Sequence, residues 1–244
     1  MIVLSHLLSP IFGFVFYLFL LIFHPIQWLG LKLGGQNGHQ KVVDVMSWFL
    51  TKGLLFLGVT VKLINKYDIP KNKTIIFVSN HQGMFDIPPI IWFFRKHVPK
   101  FVSKKELGKG IPSISFNLRH GGAALIDRKD RNQSIRELEM FSKRINKNNW
   151  SAAIFPEGTR SRNGVPKPFA YGGLKTIFQH NPEAIVVPLT INNSWKLFRY
   201  GKYPLGVFFP ITIETHEPIS LKDHEISEVL KITEEKIKSK VIQS

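Results

Sequence analysis

The sequence predicts an α/β fold, a single mixed-sheet domain covered by helices and carried behind an N-terminal hydrophobic helical membrane anchor. Three observations predict it. The first 31 of 244 residues hold no Asp, Glu, Lys or Arg. From residue 58 onward, short β-rich runs alternate with polar helical ones, the signature of a sheet covered by helices. No internal repeat, low-complexity tract or Gly/Ser linker interrupts that alternation.

The apolar stretch comes first. Residues 11–23 are almost wholly apolar, and with Leu7-Leu8 and Ile26-Gln27-Trp28-Leu29 they reach the ~20 residues that a spanning helix requires. Pro10 suits a helix start, while His24-Pro25 marks an end or a kink. A cleaved signal peptide fits poorly, because no Lys or Arg precedes the run and no small-residue cleavage pattern follows it. The expectation is a retained anchor, spanning or re-entrant, with a buried core helix as the competing reading. Lys32 and Lys41 then place the body of the chain on the cytoplasmic side. Residues 42–57 are apolar but contain Asp44 and Lys52, which predicts an amphipathic helix. The Gly-rich run 34–38 joins the two segments, so residues 1–57 read as a helical hairpin and residues 58–244 as the following domain.

Within that domain, Val59 to Ile64 and Thr74 to Ser79 read as strands split by a turn at Pro70 to Lys73. Further strands are expected at 100–103, 123–127, 152–155, 184–191 and 207–214. Ile87 to Phe94 reads as a helix with Asp86 as its N-cap and two prolines in its first turn. Ile135, Leu138, Phe141 and Ile145 recur at helical spacing, which predicts a helix over 133–147. A last amphipathic helix is expected over 221–241.

Composition narrows the partners. Lys and Arg number 33 against 17 Asp and Glu, a net charge of +16 that favours anionic partners. Most aromatic content is Phe, with five of the 20 in the uncharged N-terminal stretch rather than between basic residues, unlike a platform for stacking bases. A membrane surface therefore suits the charge better than nucleic acid does. With no cysteine, a disulfide scaffold, a thiolate nucleophile and a cysteine-ligated metal site are all excluded.

Two runs carry the chemistry, residues 79–86 (SNHQGMFD) and residues 155–161 (FPEGTRS). His81 with Asp86 offers a general base held by a carboxylate. The His-x4-Asp spacing is not selective by itself. Nine histidines and six aspartates predict roughly 0.2 chance matches, and His39–Asp44 is a second one. Context separates the two. His39 enters the amphipathic helix, where a residue five positions on lies about 140° around the wheel and out of reach. His81 follows an apolar strand and precedes Gly83, Pro88 and Pro89, the makings of a bend at a strand's carboxyl end, where α/β sheets collect ligands.

In the second run, Pro156-Glu157-Gly158 breaks a buried-strand pattern. Backbone N–H groups around Gly158, the Thr159 hydroxyl and the Arg160 guanidinium are positioned by sequence to meet one anion. Glu157 suits a substrate hydroxyl, or an ion pair that orients an arginine, better than a phosphate. Arg128, just past the strand at 123–127, is a second candidate anion ligand. The bland alternatives are a surface histidine beside a capping aspartate, a charged β-turn and a solvated basic face.

Taken in order, Asn80-His81 through Asp86, residues 125–128, residues 155–161 and residues 185–189 resemble the glycerolipid acyltransferase family, within it the 1-acylglycerol-3-phosphate acyltransferases. The matches span about half the chain, residues 74–193. The resemblance implies transfer of an acyl chain from acyl-CoA or acyl carrier protein to the sn-2 hydroxyl of lysophosphatidic acid, giving phosphatidic acid. It implies His81 as base and Asp86 as its orienter. It also implies Asn80, Arg128, Glu157, Gly158, Thr159 and Arg160 as substrate-binding residues, with Val187-Pro188 lining the site. No cofactor, metal or nucleic acid is implied, and the partners are membrane lipid and the acyl donor. One departure stands out. Where the family often carries Phe-Lys, Phe169 is followed by Ala170, so Lys167 or Lys175 would have to supply the phosphate contact. Rival readings are an acyltransferase for another lysolipid or an amino-acid-derived lipid, and a non-catalytic membrane-tethered binder of anionic lipid or nucleic acid.

Overall fold

The computed structural model describes residues 1–242. Among the described residues, eight strands form one mixed sheet: β1 (Thr60–Ile64), β2 (Ile75–Ser79), β3 (Pro99–Lys104), β4 (Ala124–Ile126), β5 (Ser151–Ile154), β6 (Ile185–Asn192), β7 (Pro210–Thr215) and β8 (Ile219–Ser220). The order is β1-β7-β6-β2-β5-β3-β4, with β8 also pairing β6. β2 lies parallel to both β5 and β6, while β6 and β7 run antiparallel. β2 is buried at every position, which is why it reads as an unbroken apolar run rather than an alternating one.

Alternation of side chains assigns the two faces. Ile75 and Phe77 point into one core with Phe12 and Val43 of the N-terminal segment, and with Leu57, Phe85 and Ile90. Ile76 and Val78 point into the other, with Leu138, Phe141, Ile177 and Val229. The first face is covered by the N-terminal helices and α2 (Ile87–Phe93). The second is covered by α4 (Arg131–Asn148), α5 (Tyr171–Gln179) and α6 (Ile226–Ser239).

The helix α1 (Ile2–Gly53) is broken at Gly35, whose φ of 57° and ψ of −150° suit glycine alone. The chain reverses there into a hairpin. Its arms approach so closely that a Cβ on Gly38 would sit 2.4 Å from the Gly30 carbonyl. Phe19 and Phe23 of the first arm pack against Phe49 of the second. The first arm also lies along the domain. Phe12 and Phe16 meet Phe85, the Ser113 hydroxyl donates to the Leu20 carbonyl at 2.6 Å, and Ser113 N donates to His24 at 3.0 Å. Ile11, Phe14, Leu18, Ile22, Trp28 and other large apolar residues on the arm's remaining surface are exposed.

Several expected elements shift. The strand expected over 207–214 starts only at Pro210, because Phe208 holds a positive φ of 58° and breaks the extended path. The last helix starts at Ile226, since Leu221 still bonds to the Ala184 carbonyl beside β8 and the chain turns over residues 222–225 before it coils. The helices α3 (Ile114–His120) and α5 lack a clear sequence signal: the first spans seven residues, and the second carries Gly172-Gly173 in its first turn. Asp86 occupies the N-cap position of α2 yet makes no side-chain cap; its carboxylate is engaged elsewhere.

Candidate active site

Because β2 and β5 are parallel neighbours in register, with Val78 opposite Ile154, the loops leaving their carboxyl ends emerge side by side. This joins two sequence runs 76 residues apart. Two backbone-directed bonds clamp them: His81 N donates to Glu157 Oε1 at 2.8 Å, and Ser161 N donates to the His81 carbonyl at 2.7 Å. Arg128, just past β4, reaches the same edge and donates to the Gly158 carbonyl.

The chain bends after His81 through Gly83 and a single 3-10 turn, Met84–Asp86. The bend returns the Asp86 carboxylate to the imidazole, with His81 Nδ1 2.8 Å from Asp86 Oδ2. The same oxygen accepts from Gln82 N at 2.8 Å and Gly83 N at 2.9 Å. Asp86 is 1 % exposed, so these donors, and not solvent, satisfy Oδ2. A Cβ at position 83 would sit 2.7 Å from Ser194 Oγ, so a side chain fits the bend only if that hydroxyl shifts. The imidazole stacks on Phe155, with centroids 4.1 Å apart and planes at 13°, which fixes the ring's second degree of freedom. With Nδ1 engaged, Nε2 is the nitrogen left for a reacting group.

Three expected contacts have different partners. Glu157 orients no arginine. Its second oxygen accepts from Lys167 N at 2.9 Å, so each oxygen holds a backbone donor. Burial pushes Glu157 above the ordinary carboxylate range, against the pull of those two bonds. Asn80, fully buried, exchanges two bonds with the Ile191 backbone at 2.8 and 2.7 Å and ties β2's end to β6. The Gly158 N–H donates to the Phe155 carbonyl at 3.1 Å and closes the turn, in which Gly158 has a φ of 66°. Val187 is buried in the core beneath this edge rather than lining it.

The remaining polar residues stay available. Thr159 and Arg160 are exposed on the turn. Lys167 is exposed, and its backbone is fixed to Glu157, which keeps it beside the His81 loop. Lys175 lies exposed on α5.

Beyond the bend lies an apolar cavity of about 110 Å³. The hairpin supplies Phe16, Val43, Met46 and Leu50 to its wall, and the domain supplies Phe85 and Phe101. Phe101 stacks on Phe155, centroids 5.9 Å apart, so the cavity wall is two rings from the imidazole. Gln40 and Lys100 interrupt the apolar lining, with Lys100 Nζ donating to Gln40 Oε1 at 2.5 Å. Burial draws the Lys100 ammonium down to about 8, against the opposing pull of Asp44. Sequence reasoning did not find Phe155, Phe101 or the hairpin's share of this wall. An apolar residue on an amphipathic helix carries no mark that tells a cavity wall from ordinary core.

A histidine held by a carboxylate, a basic rim and an apolar cavity suit transfer of a lipid-like group. Comparison with known proteins agrees. At 24% identity over 213 residues, covering 87% of this chain and 70% of the relative, the sequence is similar to a 1-acyl-sn-glycerol-3-phosphate acyltransferase of Limnanthes douglasii. A protein of the same name from Haemophilus influenzae is 28% identical over 182 residues, covering 73% of this chain and 75% of the relative. The fold is similar to the crystal structure of a 1-acyl-sn-glycerophosphate acyltransferase from Thermotoga maritima. The TM-score is 0.75 and the identity 24%, with 96% of this chain and 92% of that chain covered. The model of a family described as acyltransferase matches residues 60–192, more than half of the sequence, and this chain belongs to that acyltransferase family.

Proposed function

We propose that this acyltransferase moves an acyl chain from the thioester of acyl-CoA or acyl carrier protein to the sn-2 hydroxyl of 1-acylglycerol-3-phosphate, forming phosphatidic acid for phospholipid synthesis. One observation carries the reading. His81 is held by Asp86 through Nδ1, with Nε2 open, between an apolar cavity and an arginine-bearing turn.

His81 Nε2 takes the proton from the acceptor hydroxyl as its oxygen attacks the thioester carbonyl. Asp86 holds the tautomer and stabilises the imidazolium formed. The C–S bond then breaks and the imidazolium returns its proton to the departing thiolate. The acceptor oxygen is itself the nucleophile, so the scheme involves no enzyme nucleophile, metal or resident cofactor. The apolar cavity takes the acyl chain. Arg128, Thr159, Arg160 and Lys167 hold the glycerol phosphate, with Lys167 in place of the lysine that Ala170 lacks. Gly158 shapes the turn, while Glu157 and Asn80 act by fixing the backbone beneath. Relatives named as 1-acyl-sn-glycerol-3-phosphate acyltransferases support this acceptor.

The hairpin acts as membrane anchor, with the domain on the cytoplasmic face. Its first arm bonds to the domain at Ser9, Leu20 and His24, and Gln36 just past the reversal donates to the His120 carbonyl, so the arm has no free length with which to cross a bilayer alone. Lying within one leaflet suits it better.

The test is a panel of lyso-acceptors with labelled acyl-CoA and labelled acyl carrier protein. Acylation of 1-acylglycerol-3-phosphate is expected; activity only on phosphate-free acceptors overturns the reading. Arg128→Ala should raise KM for the phosphorylated acceptor about tenfold, the loss of one charged hydrogen bond, with little change in kcat.

A further inference from the structure

We propose that residues 199–208, in the connection between β6 and β7, form a second membrane-contacting element that seats at the headgroup level of an anionic bilayer. This rests on the reading of the hairpin as membrane anchor.

The segment exposes large aromatic side chains with cations among them. Tyr200, Tyr203 and Phe208 are 37%, 53% and 51% exposed. The Arg199 guanidinium lies 4.8 Å from the centre of the Tyr200 ring, and Lys202 is exposed. Aromatic rings with a polar tip, beside Lys and Arg, are the chemistry favoured where lipid tails give way to charged headgroups.

Its placement gives the occupant. The Tyr203 hydroxyl donates to the His6 carbonyl at 3.1 Å, and Leu205 N donates to Ser9 Oγ at 2.8 Å, which fastens the segment to the start of the hairpin. Phe208 N donates to the Leu57 carbonyl at 3.0 Å, just past the hairpin's end, where Leu55 and Phe56 are also exposed. The exposed aromatics are therefore continuous with the hairpin's exposed apolar surface. Phe208 also sits in the left-handed region at a φ of 58°, a conformation rarely tolerated outside glycine, with half its surface in water. A lipid surface relieves that exposure, and the net charge of +16 suits an anionic one.

The chain has no cysteine, so single-cysteine labelling is unambiguous. The full-length variants Phe14→Cys, Tyr200→Cys and Lys147→Cys would each carry an environment-sensitive NBD label. Lys147 is the aqueous control, on α4 across the sheet from the hairpin. With phosphatidylglycerol vesicles, the labels at 14 and 200 are expected to brighten and shift to the blue, and the label at 147 to stay unchanged. A label at 200 that stays aqueous while that at 14 shifts overturns this proposal alone. If both stay aqueous, the anchor reading falls with it. The double variant Arg199→Gln/Lys202→Gln should partition onto phosphatidylglycerol vesicles about thirtyfold less, at ~1 kcal/mol per basic residue. Partitioning onto neutral phosphatidylcholine should not change. Equal partitioning of variant and parent onto the anionic vesicles also overturns the assignment.

Discussion

The chain contains the same His-x4-Asp pattern twice, and the two copies have come to opposite physical ends. At His81 the backbone leaves a strand, bends through Gly83 and a 3-10 turn, and returns Asp86 to within 2.8 Å of the ring. At His39 the backbone continues as helix, and the two side chains part. His39 Nε2 lies 3.3 Å from Gln27 Oε1, while Asp44 accepts from Gln40 Nε2 at 2.7 Å. Burial dominates the second pair: it draws the His39 imidazole down to about 4 and pushes the Asp44 carboxyl up to about 6. A spacing motif is thus a statement about a backbone path, and the path must be argued separately.

The largest test of that contrast is His81→Ala, which should lower kcat by ~10²–10⁴, the usual range for general-base assistance. Membrane association should be unchanged. Asp86→Asn comes next, with a loss of about 10²-fold. A lower Tm should accompany it, because the Asp86 carboxylate also holds Gln82 N and Gly83 N. His39→Ala should keep kcat within the same order of magnitude while lowering Tm, since the residue is fully buried in the hairpin. A kinetic loss equal to that of His81→Ala would dissolve the distinction between the pairs.

The smallest effect concerns pH and stability. His39 has a folded pKa below its unfolded one, so its contribution is present above about pH 6.5 and is lost as pH falls toward about 4. Asp44 has a folded pKa above its unfolded one. Its contribution is present at about pH 4 and is lost as pH rises through about 6. The two oppose each other over the same window. Asp44→Asn should therefore make thermal stability fall more steeply on acidification from pH 6.5 to 4, and His39→Gln should make it fall less. Each contribution is of order 1 kcal/mol, a few degrees in Tm, with Asp44 the smaller because its carboxylate is partly solvated.

What could be read in advance follows the range of the interactions involved. Strand β2 was legible because burial on both faces demands the apolar run Ile75 to Val78. The reversal at residues 34–38 was legible because a positive φ calls for glycine. The His81 bend could be argued from its strand and its glycine. The roles of Glu157 and Asn80 could not, since their partners are backbone groups 76 and 111 residues away. Polar residues beside a candidate base look like ligands until the sheet shows which backbone groups they must satisfy. Phe155 was hidden for the same reason: only the parallel pairing of β2 and β5 sets it against the imidazole.

The hairpin's share of the cavity wall bears on how this enzyme can be rebuilt. Phe16, Val43, Met46 and Leu50 belong to the segment that would serve as tether, yet they line the cavity beyond the His81 bend. A tether that only sets location can be exchanged for any other of equal affinity. Here a chimera with a foreign anchor would return residues 58–244 to the membrane with one side of the cavity missing, restoring address without restoring turnover.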